Sequence, residues 1–581
     1  MSSLPITDPR SHLAQLLADA VAAALPEQRG TAIVLERPKQ GGHGDYASNL
    51  ALQLAKPLRR SPYEIAQALV RALPPSAWLA KAEIAGAGFI NFFLTPAAKQ
   101  AVVADILTRG KRYGQISFGQ GRKVQVEFVS ANPTGPLHVG HGRGAAFGAS
   151  LANVLETAGF AVTREYYVND AGRQMDILAL STWLRYLELN GLSISFPPNA
   201  YQGEYVRNMA DSIARAHGRR YIHAPDALFY DVASVDADAE AHLDGLIANA
   251  KKLLGEDYAY IHDFVLTEQL GDCRNDLLEF GVTFDHWFSE KSLYDGGQVE
   301  RALERLRQAG YLYVQDGATW FRSTAFGDEK DRVVQRENGQ YTYFAPDIAY
   351  HVNKFERGFD LVIDVWGADH HGHAPRVKAA LRALGLDSER LTVALVQFAV
   401  LYRDGKKVSM STRAGEFVTL RELRSEVGND AARFFYVLRK REQHLDFDLD
   451  LAKSQSNDNP VYYVQYAHAR ICSVLEQWGE DESGLLGADL GALASDQELH
   501  ILRLLLDYPA VIEDAARDLA PHLVAFYLKD LAGVFHSYYN STHFLVDDER
   551  ARLARLSLIV AVRQVLASGL GMLGVSAPTK M

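Results

Sequence analysis

Two histidines three residues apart are the first candidates for chemistry in this chain. His138 and His141 occur in the sequence Leu-His-Val-Gly-His-Gly, and side chains with this spacing at a helix start project from one face. The free N–H groups and the positive end of the helix dipole favour a phosphate there. Two imidazoles beside an anion site suit the stabilisation of charge that develops at a phosphoryl centre. Gly140 and Gly142 lack side chains and would let a ligand approach the backbone.

The flanking sequence predicts the elements that position this loop. Residues 123–129 alternate as a strand does, residues 145–155 are small and apolar at helical spacing, and residues 162–168 resemble a second strand. A strand, loop, helix and strand in this order form a βαβ unit. The loop then lies at the carboxyl ends of parallel strands, where open α/β sheets bind their ligands.

Two other interpretations of the same residues are open. Histidines and glycines can simply build a tight turn. Alternatively, Gly140, Gly142 and Ala145, with Glu165 near the end of the next strand, loosely fit a dinucleotide-binding fingerprint. In that fingerprint the first glycine follows the strand almost directly. Here a longer segment with two prolines intervenes, so the dinucleotide interpretation is disfavoured.

Residues 126–144 resemble a known family. They contain Ser-Ala-Asn-Pro-Thr-Gly-Pro-Leu followed by His-Val-Gly-His, which is similar to the first signature of class I aminoacyl-tRNA synthetases and closely similar to bacterial-type arginyl-tRNA synthetases. Residues 44–49, 88–92, 459–470 and 573–581 extend the resemblance over nearly the whole chain. It implies an arginine–tRNA ligase that forms arginyl-adenylate from L-arginine and ATP with Mg²⁺, once tRNA is bound. The arginyl group would then pass to the 3′ terminal adenosine of tRNA(Arg).

The resemblance also implies roles for single side chains. His138 and His141 would stabilise the transition state, and Lys407 would neutralise the leaving pyrophosphate. The residues implied to contact ATP are Gly140, Gly142, Gly367, Asp369, Lys406, Ser409 and Ser411. The residues implied to contact arginine are Asn132, Glu290, Tyr343, Asp347 and His370.

The chemistry of the amino-acid pocket is coherent with this assignment. A guanidinium is planar, permanently charged and carries five donors, so it needs carboxylates and other acceptors. Glu290 and Asp347 could supply them. Simpler interpretations remain open, because Glu290 could be an exposed acid before a helix. Asp347 follows Pro346 and could cap a helix through residue 353.

A basic loop at residues 403–413 follows the strand expected at residues 391–398. Such a loop can bind a polyphosphate, and residues 407–411 resemble the second class I signature, Lys-Met-Ser-Lys-Ser. Met410 stands where the signature has its second lysine. Lys406 and Arg413 are candidates to replace it, and Gly135 occupies the place where some arginyl enzymes carry a compensating lysine.

The sequence Gly-Ala-Asp-His-His-Gly-His begins at Gly367, at the end of an apolar strand expected over residues 360–366. In class I synthetases the Gly-x-Asp at this place contacts the ATP ribose. Taken alone, Asp-His-His-x-His also allows a metal site. One packed cluster lacks the distributed ligands of most catalytic metal sites, so no protein-bound metal and no structural zinc are expected.

The charge distribution bears on RNA binding. Residues 1–110 contain eleven Lys and Arg against eight Asp and Glu, whereas residues 456–581 contain nine against sixteen. Anticodon recognition would then depend on a few aromatic and polar contacts to splayed bases. The candidates are Tyr462, Tyr463, Tyr466, Arg470 and Met581. Residues 431–441 interleave basic and aromatic side chains, which fits either a single-strand RNA surface or a core helix with a charged face.

The expected fold class is α/β. A Rossmann-like parallel-sheet catalytic domain at 113–428, with an insertion near 186–262, lies between two smaller domains. An α+β domain at 1–112 would contact tRNA, and an all-α stem and anticodon-binding domain would occupy 429–581. Strands are expected at residues 31–35 and 89–94.

Composition limits the other function classes. The 581 residues carry a net charge of −11 and two cysteines, which disfavours a nucleic-acid coat protein, DNA binding and a disulfide framework. No apolar run long enough for a membrane span is expected. Because two cysteines build no disulfide framework, a reduced cytoplasm is the expected location, and a monomer is expected. Two rivals remain: a class I synthetase or nucleotidylyltransferase of other specificity, and a non-catalytic RNA-binding paralogue, which Met410 makes conceivable.

Overall fold

The computed structural model describes residues 9–38, 41–408 and 418–581. The N-terminal part packs helices on a small antiparallel sheet in which Phe89–Leu94 lies between Tyr46–Ser48 and Leu79–Ala85. Its described helices are α1 (Pro9–Ala24), α2 (Leu50–Leu58), α3 (Pro62–Ala72) and α4 (Pro96–Arg109). Its described strands are β1 (Tyr46–Ser48), β2 (Leu79–Ala85) and β3 (Phe89–Leu94). The strand expected at residues 31–35 is wrong, because that segment gains only an isolated bridge from Glu36 to Ala47 while β1 pairs with β3.

The predicted βαβ unit is confirmed and begins a parallel sheet. It consists of β4 (Lys123–Glu127), α5 (Val139–Thr157) and β5 (Ala161–Val168). The chain then leaves the sheet and forms five helices before the next strand: α6 (Arg173–Leu189), α7 (Glu204–His217), α8 (Pro225–Leu228), α9 (Ala239–Leu254) and α10 (Glu256–Glu279). They bury a hydrophobic core of their own, with Trp183, Leu246 and Ile261 among its members.

After α10 the chain returns to the sheet at His286–Ser289 and then makes a second excursion before it rejoins the sheet at Leu361–Gly367. It passes through β6 (His286–Ser289), α11 (Lys291–Asp295), α12 (Gln298–Gln308), β7 (Leu312–Gln315), β8 (Ala318–Phe321), β9 (Arg332–Gln335), α13 (Phe344–Glu356), β10 (Leu361–Gly367), α14 (Ala374–Ala383) and β11 (Leu391–Val396). In the described chain the parallel sheet has the order β11-β10-β4-β5-β6, and β7, β8 and β9 form a separate antiparallel sheet. Strand β4 is therefore central with β10 and β5 on either side, and the loops that follow these parallel strands open at the same edge.

The last part of the chain is mainly helical. It contains β12 (Ala399–Arg403), β13 (Lys406–Lys407), α15 (Leu420–Val427), α16 (Asn429–Val437), β14 (Leu445–Asp448), α17 (Leu449–Lys453), α18 (Pro460–Trp478), α19 (Asp496–Arg517), α20 (His522–Ser541) and α21 (Glu549–Met572). Strand β14 is a correction to the expectation of helix from residue 429 onward, because it pairs in parallel with β12.

Helix α21 corrects a second expectation. By length and composition it could cross a bilayer, although no such run was expected. In the described fold 67% of its apolar window is buried, and it packs against α18 and α20. Its hydrophobicity is thereby explained by a core position in the helical bundle.

Candidate active site

A cleft of about 960 Å³ lies where the loops after β4, β5, β6, β10 and β11 meet. This is the edge at which parallel sheets bind ligands. Ten of the sequence-predicted residues line it: Asn132, His138, Gly140, His141, Glu290, Tyr343, Asp347, Gly367, Asp369 and His370.

The two histidines stand at the start of α5, and backbone contacts fix their rings. His138 is the N-cap residue, and its Nδ1 accepts from the Gly140 N–H at 3.0 Å. His141 Nδ1 accepts from the His138 N–H at 3.3 Å. The two rings stack with centroids 3.7 Å apart. Because each Nδ1 is an acceptor, the proton of each neutral ring lies on Nε2.

Burial keeps both imidazoles neutral. It lowers the pKa of His138, and burial together with the neighbouring His138 lowers the pKa of His141 to about 3. The pair can therefore donate Nε2–H hydrogen bonds to a negatively charged group without changing its own charge. Preorganised neutral donors of this kind stabilise charge that develops in a transition state.

Glu290 lies in the acidic part of the cleft. It directly follows β6, its backbone N–H donates to Val168 O at 2.9 Å, and the residue is only 8% exposed. Among the described residues, its Oε2 has no hydrogen-bond partner. Burial, together with the charges of Asp347 and Asp170, raises the pKa of Glu290 to about 7. The interpretation of Glu290 as an exposed acid is wrong, and the residue is available to a cationic ligand.

Asp347 lies inside α13 rather than at its cap. The N-cap position is Tyr343, which has no side-chain cap bond, so the capping interpretation of Asp347 is wrong. The Asp347 carboxylate instead accepts from His373 Nε2–H at 2.6 Å. Tyr343 is 72% exposed at the cleft.

A row of three carboxylates lies beneath the cleft. Asp364, Glu127 and Glu165 are register partners on β10, β4 and β5. Basic side chains of helix α13 and of the residue that follows it pair with these carboxylates. Lys354 Nζ, fully buried, contacts Glu127 at 2.5 Å and Asp364 at 2.6 Å. Arg357 binds Glu165 through its two terminal guanidinium nitrogens, Nη1 and Nη2. This carboxylate row fixes α13, which carries Asp347 at its other end.

Removing the charge of Lys354 is expected to be strongly destabilising. The change Lys354→Met leaves Glu127 and Asp364 buried without their cation, and breaking a buried pair in this way costs about 3–5 kcal/mol. The measurement is the free energy of unfolding in urea. The exposed Lys252→Met in α9 is the control and should change it by less than about 0.5 kcal/mol. Equal effects of the two substitutions would contradict a structural role for the carboxylate row.

Helix α7 and the loop after β5 support the segment that precedes His138. Tyr205 of α7 donates its hydroxyl to Thr134 O at 2.7 Å, and Asn169 Nδ2 donates to Asn132 Oδ1 at 3.0 Å. A Cβ at Gly135 would lie 3.2 Å from the Tyr205 hydroxyl. Tyr205 thus holds the loop that precedes His138.

Some predicted residues are not brought to the cleft. A Cβ at Gly142 would meet Leu420 at 2.9 Å and Tyr436 at 3.0 Å. Gly142 is absent from the described cleft lining, so its missing side chain serves helix packing rather than ligand approach. Lys406 and Lys407 form the exposed strand β13 of a hairpin and do not line the cleft in the described chain. Ser409, Met410, Ser411 and Arg413 lie outside the described residues.

No metal-binding group is formed by the side chains of residues 9–38, 41–408 and 418–581. In the Asp-His-His-x-His run, His373 turns to Asp347 while Asp369 and His370 remain about 60% exposed. A Cβ at Gly367 would collide with the Asp369 carboxylate at 2.5 Å. Within this run, His373 thus contacts the acidic part of the cleft through Asp347, whereas Asp369 and His370 line another part of the cleft.

Comparison with known proteins identifies the family. Three family models match: the arginyl tRNA synthetase N terminal domain at residues 11–94, the class I (R) tRNA synthetase catalytic domain at 102–207 and 244–449, and the DALR anticodon binding domain at 464–581. An arginine–tRNA ligase of Nitrosospira multiformis is 69% identical over 99% of both chains, and one of Nitrosomonas eutropha is 64% identical over 99% of both. The chain belongs to the arginyl-tRNA synthetase family. The solved arginyl-tRNA synthetase of Thermus thermophilus is 25% identical, with a TM-score of 0.75 over 99% of this chain and 100% of that one.

The RNA contacts predicted for this chain are residues of α18 and of the chain end. Tyr466 and Arg470 fall within the matched anticodon binding domain. Tyr462 stacks on Tyr466, with ring centroids 5.7 Å apart, and the Arg470 guanidinium lies 4.4 Å from the Tyr466 ring centre. Tyr463 packs instead on His536, with ring centroids 4.5 Å apart. These four side chains are half-buried, whereas Met581 is 50% exposed.

The basic and aromatic run at residues 431–441 proves to be core in its helical part. Arg433 is 1% exposed and donates to Leu573 O and Phe280 O, and Phe434 and Tyr436 are buried. Of the two interpretations offered for this segment, the core helix is correct. Arg433 is not available to RNA because it already binds backbone carbonyls, whereas Arg439 and Lys440, beyond the helix, are exposed.

The sequence missed several residues that support the site. His373 was noted only as part of a histidine run, and His351, Lys354 and Asp170 were not singled out. Asp170 receives Ser289 Oγ–H at 2.6 Å and the Lys291 N–H at 2.8 Å, which fixes the turn that carries Glu290. The one available signal was the spacing of His351 four residues after Asp347, on the same helix face.

Proposed function

We propose that this chain joins L-arginine to tRNA(Arg) at the expense of ATP. The observation that carries the proposal is the buried Glu290, whose open carboxylate oxygen shares one cleft with Asp347 and with the neutral histidine pair. Two carboxylates can accept charge-assisted hydrogen bonds from a guanidinium. The N-terminus of a helix that carries two histidines can bind a phosphate. Arginine and ATP would therefore meet between the two ends of the cleft.

The first step is attack of the arginine carboxylate on the α-phosphorus of ATP. A carboxylate oxygen forms the new bond to phosphorus while the bond to the bridging oxygen of pyrophosphate breaks, giving arginyl-adenylate. His138 and His141 stabilise the oxygens of the α-phosphoryl group as charge redistributes. Both substrates are already held in line, so no protein nucleophile is required.

The arginine end of the site is assigned to the acidic residues. Glu290 and Asp347 receive the guanidinium, Tyr343 closes the pocket beside them, and Asn132 holds the backbone end of the amino acid. His370 would lie near the substrate. Gly140, Gly367 and Asp369 are assigned to ATP, with Gly367 and Asp369 at the ribose.

Mg²⁺ would enter with the nucleotide. Magnesium in such sites is held mainly by phosphate oxygens and water, which fits a cleft whose described residues contain no three-ligand cluster. When bound, it would offset the negative charge of the leaving pyrophosphate. Lys407, with Lys406 and the signature residues Ser409 and Ser411, is assigned the same task.

The second step transfers arginine to RNA. The 2′-hydroxyl of the terminal adenosine attacks the arginyl carbonyl carbon, and AMP leaves with the electrons of the broken acyl–phosphate bond. Residues 1–112 and 429–581 are assigned to tRNA binding, with 113–428 as the catalytic unit. The enzyme is proposed to act as a cytoplasmic monomer, with no DNA or membrane partner, and to activate arginine only when tRNA is bound.

Exchange of labelled pyrophosphate into ATP tests the proposal directly. Each amino acid is supplied with and without total tRNA. We expect exchange with arginine alone, and only when tRNA is present. Exchange with another amino acid would indicate a synthetase of other specificity, and no exchange under any condition would favour the non-catalytic RNA-binding paralogue.

Arginine binding should depend on pH through Glu290. Its pKa of about 7 in the empty cleft means that below this pH the group is protonated and must lose a proton to pair with a guanidinium. The KM for arginine should therefore rise up to about tenfold per unit as pH falls below 7, and stay flat above it. The measurement is the KM for arginine between about pH 5.5 and 8.5. In Glu290→Gln the slope should vanish, and a slope retained in that variant would contradict the assignment.

A further inference from the structure

His373 makes a close contact with the acidic part of the cleft. Its Nε2 lies 2.6 Å from Asp347 Oδ2, and its side chain is 12% exposed. It immediately precedes α14, and its ring packs against Trp366 and Phe344, with centroids 5.5 and 5.8 Å away. The ring is thus held by its own surroundings, independently of any ligand.

Asp347 is consequently fixed at two points. His373 Nε2–H donates to its Oδ2. The main-chain carbonyl of Asp347 accepts from His351 Nδ1–H at 2.7 Å. His351 Nε2 lies 2.9 Å from Asp364, so this second point is connected to the carboxylate row. The Asp347 carboxylate therefore has a fixed position relative to the sheet.

We propose that His373 is a positioning residue that makes the cleft selective for a guanidinium over an ammonium; the inference depends on the proposed function. A guanidinium presents donors in a rigid planar fork and needs acceptors at fixed places. An ammonium has three rotatable donors and can donate to a carboxylate in many orientations. A fixed Asp347 together with Glu290 favours the first ligand, whereas a carboxylate free to rotate loses that preference.

The test compares two substitutions of His373 in the full-length protein with ATP, Mg²⁺ and tRNA. The readouts of pyrophosphate exchange are the KM for arginine, the KM for ATP, kcat, and the inhibition constant of L-lysine. In His373→Ala we expect the KM for arginine to rise about 10- to 100-fold, as for a lost hydrogen bond to a charged group. The KM for ATP, kcat and lysine inhibition should each change by less than about threefold, so selectivity falls. His373→Gln supplies an N–H donor and should recover most of the arginine KM.

A matched control and the unaltered protein separate the possible failures. The half-buried His262→Ala in α10, which lies away from the cleft lining and from the segments assigned to tRNA, should leave every constant unchanged. Equal losses for arginine, ATP and lysine in His373→Ala, or no recovery in His373→Gln, would overturn the positioning role. If the unaltered protein shows arginine-dependent exchange and either of these results is found, only the role of His373 is refuted and the proposed function stands. The absence of that exchange refutes the proposed function and the inference with it.

Discussion

Replacing His138 or His141 with alanine is expected to lower kcat for pyrophosphate exchange by about 100- to 1000-fold, the loss found when one preorganised donor is removed from a transition state. The affinity for tRNA should change by less than about twofold, because both rings lie in the cleft and far along the chain from the matched anticodon binding domain. Exchange assays give the first quantity, and a filter-binding titration with tRNA gives the second.

The capping role of His138 requires its own control. Alanine at 138 also removes the N-cap of α5, which costs about 1 kcal/mol of helix stability. His138→Asn restores a preferred N-cap residue but not the imidazole Nε2–H. We expect its stability to be normal and its turnover to be as low as that of the alanine variant. Normal turnover in His138→Asn would contradict the catalytic assignment and leave His138 as a cap.

Replacing Asp347 with alanine is expected to raise the KM for arginine by about 100-fold or more, with less than about a threefold change in the KM for ATP. The substitution removes a charged acceptor from the guanidinium, and hydrogen bonds to charged groups contribute about 1.5–3 kcal/mol each. It also leaves His373 without its partner. The measurement is the KM for both substrates in exchange assays.

Asp369 provides the matched comparison for Asp347. Both carboxylates line the same cleft, but Asp369 stands at the end of β10 beside Gly367. Asp369→Ala should therefore raise the KM for ATP and spare that for arginine, the reverse of Asp347→Ala. If both variants affected the two substrates equally, neither half of the site would be assigned correctly.

Local pattern was enough to place the histidine loop. The alternation over residues 123–129 and the helical spacing over 145–155 correspond to β4 and α5, since both signals depend on which side chains face the core. His138 proved to be the residue at which α5 begins. By contrast, Asp347 after Pro346 fitted a cap equally well, and only its contact with His373 decides against one.

Contacts between distant segments could not be predicted from local sequence pattern. The carboxylate row depends on the register of three strands, and its cation Lys354 lies 227 residues from Glu127. Leu445–Asp448 was missed as a strand because its partner, β12, is supplied by another part of the chain. The burial of Arg433 likewise depends on backbone carbonyls at residues 280 and 573. A single sequence records the residue types in such contacts but not their pairing.

The carboxylate row also sets an order for assembly during synthesis. Glu127 and Glu165 leave the ribosome long before Lys354 and Arg357, which must neutralise them, and before β10, which must lie beside β4. Domains generally fold as units as the chain emerges, and helices α6–α10 already have a core of their own within the intervening segment. That segment can be native while the sheet around it is still open. We therefore expect a nascent chain that ends before residue 354 to have folded helices α6–α10 but no active site.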